Sequence, residues 1–174
     1  MDEERIIERC RAGDLGAYRQ IYDRFGPPLL RTAGRLLGRP QEAEDAVQET
    51  FLKLFRGIGG FRSGARFSTY LFQILHNTCI DMLRKRKPGV ADMAEMDAFG
   101  VTSSNELAHS LAQAVDSLPV QMRACFVLFA VEQFSLEEAA DILGVSVGTI
   151  KASVHRARKK LRAWLGSCPA GEIS

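Results

Sequence analysis

A chain of 174 residues is long enough for one domain or two small ones. Apolar residues make up 46% and charged residues 25%, ordinary proportions for a globular protein, which sets aside a disordered or fibrous polymer. The formal net charge of +2 is nearly neutral, so bulk electrostatics does not announce a nucleic-acid partner.

The charge distribution is more informative than its sum. Arg84 to Lys87 are four consecutive basic residues, and Lys151 to Arg162 holds six more with no acidic one. Between Pro88 and Met122 there is no Lys or Arg, while Asp92, Glu95, Asp97, Glu106 and Asp116 are acidic, dividing the chain into basic, acidic and basic blocks. The four cysteines (Cys10, Cys79, Cys125, Cys168) are far apart and lack zinc-site spacing, and Cys79 and Cys125 lie on apolar stripes, so reduced, buried thiols are expected and no metal or cofactor. The start, MDEERIIERC, is unlike a signal peptide, and the longest apolar run, 124–131, is too short to span a bilayer. A cytoplasmic protein without membrane insertion is expected.

Helical periodicity runs through nearly the whole chain, which predicts an all-α protein. Residues 3 to 12 form a short helix broken at Gly13, with Asp14 as the next cap. Ala17, Ile21, Tyr22 and Phe25 stripe the second helix; Gly26, Pro27 and Pro28 interrupt it, and Leu29 to Leu37 resumes. Gly38, Arg39 and Pro40 form a turn.

In QEAEDAVQETFLKLF a wide stripe of Ala43, Ala46, Val47, Thr50, Phe51, Leu54 and Phe55 is expected to be buried. Beside it Asp45, Gln48, Glu49 and Leu52 recur at i, i+3, i+4 and i+7. That second stripe is acidic yet carries a leucine, as suits either a salt-bridged surface or a helix docking onto a basic partner. The following GIGGFRSGAR is Gly-rich, with Arg62 and an exposed Phe61, and lacks the Lys-Ser/Thr ending of a phosphate-binding loop. It is either a connector or a loop that takes up an unstacked base. Ser68 is expected to cap the next helix, whose buried stripe is Leu71, Phe72, Leu75, Thr78, Cys79, Met82 and Leu83. Gln73, Asn77 and Arg84 share another face beside the basic end, with Lys85 next in line, a surface suited to melted DNA. Pro88 ends that helix, and residues 88–105 lack periodicity and read as a linker.

A second helical unit starts near Glu106, with Leu107, Leu111, Val115 and Leu118 in register. Ser117 is expected to cap a helix that has Pro119 in its first turn and runs to about Val131. SLEEAADILGVSVGTIKASVHRARKKL then reads as a helix-turn-helix. Ser135 and Glu138 fit a capping box, Gly144 ends the first helix, Ser146 caps the second, and Ile150, Val154, Ala157 and Leu161 mark its buried stripe. Its outward face carries Thr149, Ala152, His155, Arg156 and Lys159, with Lys151 at the margin. A small residue amid donors lets a helix approach a groove, as a major-groove recognition helix must.

With these pieces in order, the chain resembles the extracytoplasmic-function (ECF) group of bacterial RNA polymerase sigma factors over nearly its entire length. AEDAVQETFLKLF resembles the group's most specific motif, FSTYLFQILHNTCIDMLRKR its promoter-melting helix, and LPVQMRACFVL with the helix-turn-helix its fourth domain. The resemblance implies residues 1–87 as sigma domain two, 88–105 as an acidic linker and 106–174 as sigma domain four. It implies core RNA polymerase, promoter DNA and an anti-sigma factor as partners, and no catalysis. Asp45, Gln48, Glu49 and Leu52 fall where the family docks on polymerase. The loop with Phe61 and Arg62, together with Asn77, falls where it captures a flipped base of the −10 element, and Arg84 and Lys85 fall near the DNA backbone. Thr149, Lys151, Ala152, Ser153 and Arg156 fall in the helix that reads the −35 element. Tyr70 stands where the family usually has Trp, and Ala152-Ser153 replaces a commoner Ser-Arg pair. At this stage a stand-alone helix-turn-helix regulator with a helical sensor is the main alternative. An enzyme is a third class, for which His76, His109 and His155, on separate elements, offer no nucleophile or metal spacing.

Overall fold

The computed structural model describes residues 3–61, 66–86 and 106–167. Arg62, Lys87, Cys168 and the expected linker 88–105 lie outside them. Every regular element among the described residues is helical: α1 (Glu3–Arg11), α2 (Leu15–Leu37), α3 (Pro40–Gly57), a 3-10 turn (Ile58–Gly60), α4 (Phe67–Lys85), α5 (Glu106–Asp116), α6 (Val120–Phe126), a π turn (Val127–Val131), α7 (Leu136–Leu143) and α8 (Val147–Ser167). Helices α1 to α4 form one bundle and α5 to α8 a second.

The expected break at Gly26-Pro27-Pro28 does not occur: α2 is a single helix of 23 residues with both prolines inside it. Each interior proline costs about 3 kcal/mol through a lost hydrogen bond and a ring clash. Against that, Ile21, Phe25, Leu29, Leu36 and Leu37 are buried along one continuous stripe, each stabilising by about 1.5–3 kcal/mol. Burial wins, and the helix runs through. Asp14 caps its start, accepting from the amides of Gly16 and Ala17, and left-handed Gly38 (φ 70°) closes its end.

Two further caps differ from expectation. The residue before α4 is Arg66, not Ser68, and it makes no side-chain cap bond. Pro119 precedes α6, while Ser117 turns its hydroxyl back to donate to the Ala114 carbonyl, closing α5 instead. Phe51 and Phe55 also leave the predicted buried stripe of α3: Phe51 is half-buried and Phe55 is exposed.

The two bundles do not have separate cores. One continuous apolar cluster runs from Ile6 and Leu29 through Leu54, Leu71 and Leu75 into Cys125, Phe134, Ile142 and Ile150. A smaller cluster of Ala114, Val115, Leu118, Val127, Ala157 and Leu161 fills the second bundle alone. Phe134 meets Phe72 edge-on with ring centroids 4.9 Å apart. Just before it, Gln133 adopts φ 59°, a left-handed conformation that costs a non-glycine residue on the order of 1 kcal/mol. Cys10, Cys79 and Cys125 are buried free thiols; burial pushes Cys79 up to about 12 and also raises the other two, so none is an ionised nucleophile at neutral pH.

Candidate functional sites

Three surfaces carry the residues singled out by the sequence. The first is the outer face of α3. Asp45 and Gln48 are exposed, Glu49 is half-exposed and reaches Lys53 at 4.0 Å, and Leu52 keeps 50% of its surface in solvent. Alongside them lies a groove of about 640 Å³ between α2 and α3, lined by Tyr18, Tyr22, Phe51, Leu52 and Phe55 with Arg19, Asp23 and Gln48 at its edges. Tyr18 packs on Phe55 (5.0 Å) and Tyr22 on Phe51 (4.9 Å), so four rings from two helices form one apolar floor. Exposed apolar patches with charged and amide side chains at their edge are where partners or ligands commonly bind. The carboxylate stripe was legible from spacing. The aromatic groove was not, because Phe51 and Phe55 were assigned to the core. Tyr22, also expected on an apolar stripe, is instead half-exposed and faces the same way.

The second surface is built around α4. Its base is held firmly: Lys53 donates to the Thr78 hydroxyl at 3.0 Å, and the Arg86 guanidinium donates to the Leu37 carbonyl at 2.7 Å and to the Glu42 carboxylate. Arg86 is therefore a brace between helices, unlike its neighbours Arg84 and Lys85, which stay exposed with Arg84 3.9 Å from Asp81. Phe61, expected in solvent, is only 7% exposed. It packs edge-on against Phe67 (5.5 Å) and against Tyr70 (5.0 Å), so it anchors the loop rather than offering a stacking face. Arg11 on α1 donates to the Ile58 carbonyl at 3.4 Å and to that of Phe61, clamping the same turn. Tyr70 donates toward the Gly57 carbonyl at 3.5 Å. Gln73 and Asn77 lie on the exposed side of α4, but Gln73 is engaged: its amide donates to the Asp141 carbonyl of α7 at 3.4 Å.

The third surface is α8. Both helix-turn-helix caps form as expected. Ser135 and Glu138 make a reciprocal capping box, Gly144 is left-handed (φ 64°), and the Thr149 amide donates to the Ser146 hydroxyl. Ile150, Val154, Ala157 and Leu161 are buried, and Thr149, Lys151, Ala152, His155, Arg156 and Lys159 all face solvent. Ser153 does not join them. It is 3% exposed and its hydroxyl bonds the Cys125 thiol, so a direct base contact by Ser153 is ruled out by burial. One residue past Ala152, the helix has turned about 100° toward the core.

Between the first and second bundles lies a belt of polar contacts. Arg35 on α2 reaches Asp116 at 3.6 Å, and Arg123 donates to the Arg35 carbonyl. Thr32 donates to Glu132 at 3.3 Å, with Arg31 3.8 Å from the same carboxylate. Burial pushes both Asp116 and Glu132 above the ordinary carboxylate range, partly offset by these arginines. Among the described residues, no group of three or more His, Cys, Asp or Glu could hold a metal ion, and no helix is long and apolar enough to cross a membrane.

Comparison with known proteins places these surfaces in a family. Residues 21–88 match Sigma-70 region 2 and residues 108–161 match Sigma-70 region 4. The chain is 32% identical to the ECF RNA polymerase sigma factor SigW of Bacillus subtilis, covering 91% of this chain and 94% of that protein. It is 37% identical to the ECF sigma factor SigM of Mycobacterium tuberculosis, covering 92% and 83%. Among solved structures it is similar to the sigma factor RpoE of Bartonella quintana, in complex with the anti-sigma factor NepR (TM-score 0.74, 30% identity, 87% of this chain and 98% of that one). It is also similar to CnrH in complex with the cytosolic domain of CnrY (TM-score 0.73, 26% identity, 94% and 96%). The two region matches, in this order on one helical chain and beside full-length relatives, establish that the protein belongs to the ECF group of RNA polymerase sigma factors.

Proposed function

We propose that the protein binds core RNA polymerase through the α3 face, directs it to a set of promoters and assists their melting, acting as a binding factor in the cytoplasm rather than as an enzyme. The observation that carries this reading is the joined surface of Asp45, Gln48, Glu49 and Leu52 with the aromatic groove of Tyr18, Tyr22, Phe51 and Phe55. Carboxylates steer a basic partner and the rings supply the desolvated anchor. The exposed basic face of α8 reads the −35 element in the major groove, with Thr149, Lys151 and Ala152 nearest the helix start and His155, Arg156 and Lys159 further along. Gln73 and Asn77 on α4, together with Arg62 of the preceding segment, contact melted −10 DNA, while Arg84 and Lys85 neutralise backbone phosphates. Phe61 and Ser153, being buried, position these surfaces rather than touch DNA. An anti-sigma factor is the expected inhibitor, because the structural relative RpoE, matched over 87% of this chain, is in complex with the anti-sigma factor NepR.

The test replaces Asp45, Gln48 and Glu49 together by Ala. Polymerase binding and transcription from mapped promoters should be lost, while binding of the isolated protein to duplex DNA is kept. Unchanged polymerase affinity would overturn the docking assignment.

A further inference from the structure

We infer that Arg11, on the last turn of α1, is a positioning residue for −10 recognition: it fixes the point at which the chain leaves α3 toward Arg62. The inference rests on the reading of Arg62 and Asn77 as −10 contacts. Residue 11 lies before the stretch matched to Sigma-70 region 2, which begins at residue 21, so the match itself gives Arg11 no role.

A helix ends in carbonyls that have no amide partner of their own. At the end of α3 the following residues form the 3-10 turn Ile58–Gly60, and two of its three residues are glycines. A Cβ on Gly59 or Gly60 would meet nothing within 4 Å, so neither position packs against anything. The turn supplies little rigidity of its own. What holds it comes from elsewhere in the chain. The Ile58 carbonyl accepts from the Phe61 amide at 3.2 Å and from Arg11 Nε at 3.4 Å, and a terminal nitrogen of the same guanidinium donates to the Phe61 carbonyl. One planar fork thus ties together the first carbonyl of the turn and the carbonyl that follows it, where a lysine could serve only as a point donor. A cation at this end of α3 also meets the negative end of the helix dipole.

Arg11 is itself firmly placed. Ile6, Ile7 and Cys10 bury the opposite side of α1. Just beyond Arg11, Gly13 turns the chain with φ 80°, Asp14 caps α2, and Arg9 pairs with Asp14 at 2.7 Å. The rigid α1–α2 junction therefore holds the turn through Arg11, while Phe67 and Tyr70 of α4 hold the Phe61 ring from the other side. Phe61 is the last residue before Arg62 in sequence, and Tyr70 is two turns before Asn77 on α4. Base discrimination needs donors held to within about half an ångström. Loosening the exit from α3 lets a wrong base be accommodated, so the loss falls on discrimination between bases.

The experiment uses the full chain with core RNA polymerase on a promoter mapped by run-off transcription, with every single-base change made at each −10 and −35 position. The readout is the ratio of initial run-off rate on the preferred base to that on the other three. A smaller folded fraction scales all promoters alike and cancels from this ratio.

Arg11→Ala should cut the ratio about fivefold or more at one −10 position. Polymerase affinity and the −35 ratios should stay as they are. Arg11→Lys should fall between the parent and Arg11→Ala. Neither Gly59 nor Gly60 has a positive φ, so Gly59→Ala with Gly60→Ala, added to Arg11→Ala, should stiffen the turn and restore part of the ratio. No restoration would overturn the turn as the seat of the effect. An unchanged ratio in Arg11→Ala, beside a reduced one in Asn77→Ala, would overturn the inference and leave the −10 reading standing. Unchanged ratios in both would overturn the −10 reading, and the role of Arg11 with it. A lower slope of log affinity against log salt for Arg11→Ala would overturn positioning in favour of a direct phosphate contact.

Discussion

Helices α4 and α8 present the same kind of sequence, a polar face at helical spacing opposite a buried stripe, yet they sit differently in the molecule. On α8 every outward residue from Thr149 to Lys159 in the periodic set is open to solvent. On α4 the corresponding face is shared between solvent at Asn77 and a neighbouring helix at Gln73. Periodicity says which side of a helix is polar. Whether water, protein or DNA meets that side depends on what else is packed nearby.

The largest expected effect that would break this comparison is at α8. Arg156→Ala and Lys151→Ala should each weaken promoter binding and lower the slope of log affinity against log salt by about one, while leaving the melting temperature within a degree or two. Arg84→Ala on α4 should lower the slope by less than either α8 change, because its helix face is shared at Gln73 with α7. An equal change would mean that α4 is as accessible as α8.

A smaller effect separates the cap of the helix-turn-helix from its contact with the first bundle. Ser135→Ala should destabilise the protein by about 1 kcal/mol through the lost capping bond. Glu138→Gln keeps a side chain able to complete the capping box but removes the charge facing Arg66. It should leave thermal stability nearly unchanged and loosen only the interdomain contact. A large drop in melting temperature for Glu138→Gln would show that the ion pair, not the box, is the stabilising part.

The smallest effect is on pH. Burial raises Asp116 and Glu132 from their ordinary values of 3.8 and 4.5. A carboxyl raised where the bundles meet favours their contact when protonated, so its contribution is present on the acid side and is lost as pH climbs through the raised value. The contact between the bundles should therefore weaken as pH rises above these ordinary values, visible as a rising interdomain distance in a fluorescence-transfer pair, and Glu132→Gln should flatten the curve. A tighter contact with rising pH would mean that the arginine pairing outweighs the burial.

Some misreadings share one cause. Pro27 and Pro28 looked like a break because local chemistry at those residues is unfavourable for a helix, and the stripe that overrides it extends ten residues to either side. Phe51 and Phe55 looked like core because aromatic residues at helical spacing usually are, whereas here a second helix brings Tyr18 and Tyr22 beside them and leaves all four partly open. Phe61 looked exposed because it lies among glycines, and it is buried by Phe67 and Tyr70 from the following helix. Resemblance offers Ser153 as part of the −35-reading helix, although its step from Ile150 puts it near the buried side.

By itself the sequence determined the helical class, the capping box at Ser135, the left-handed stop at Gly144, the outward basic face of α8 and the acidic stripe of α3. These depend on residues within one or two turns of each other, where spacing and side-chain chemistry are sufficient. Only the tertiary structure decided the continuity of α2, the aromatic groove, the inward turn of Phe61, and the joining of two bundles through Phe72 and Phe134. Each of those depends on burial between residues far apart in the chain, and burial is a property of the neighbours, which no local pattern specifies.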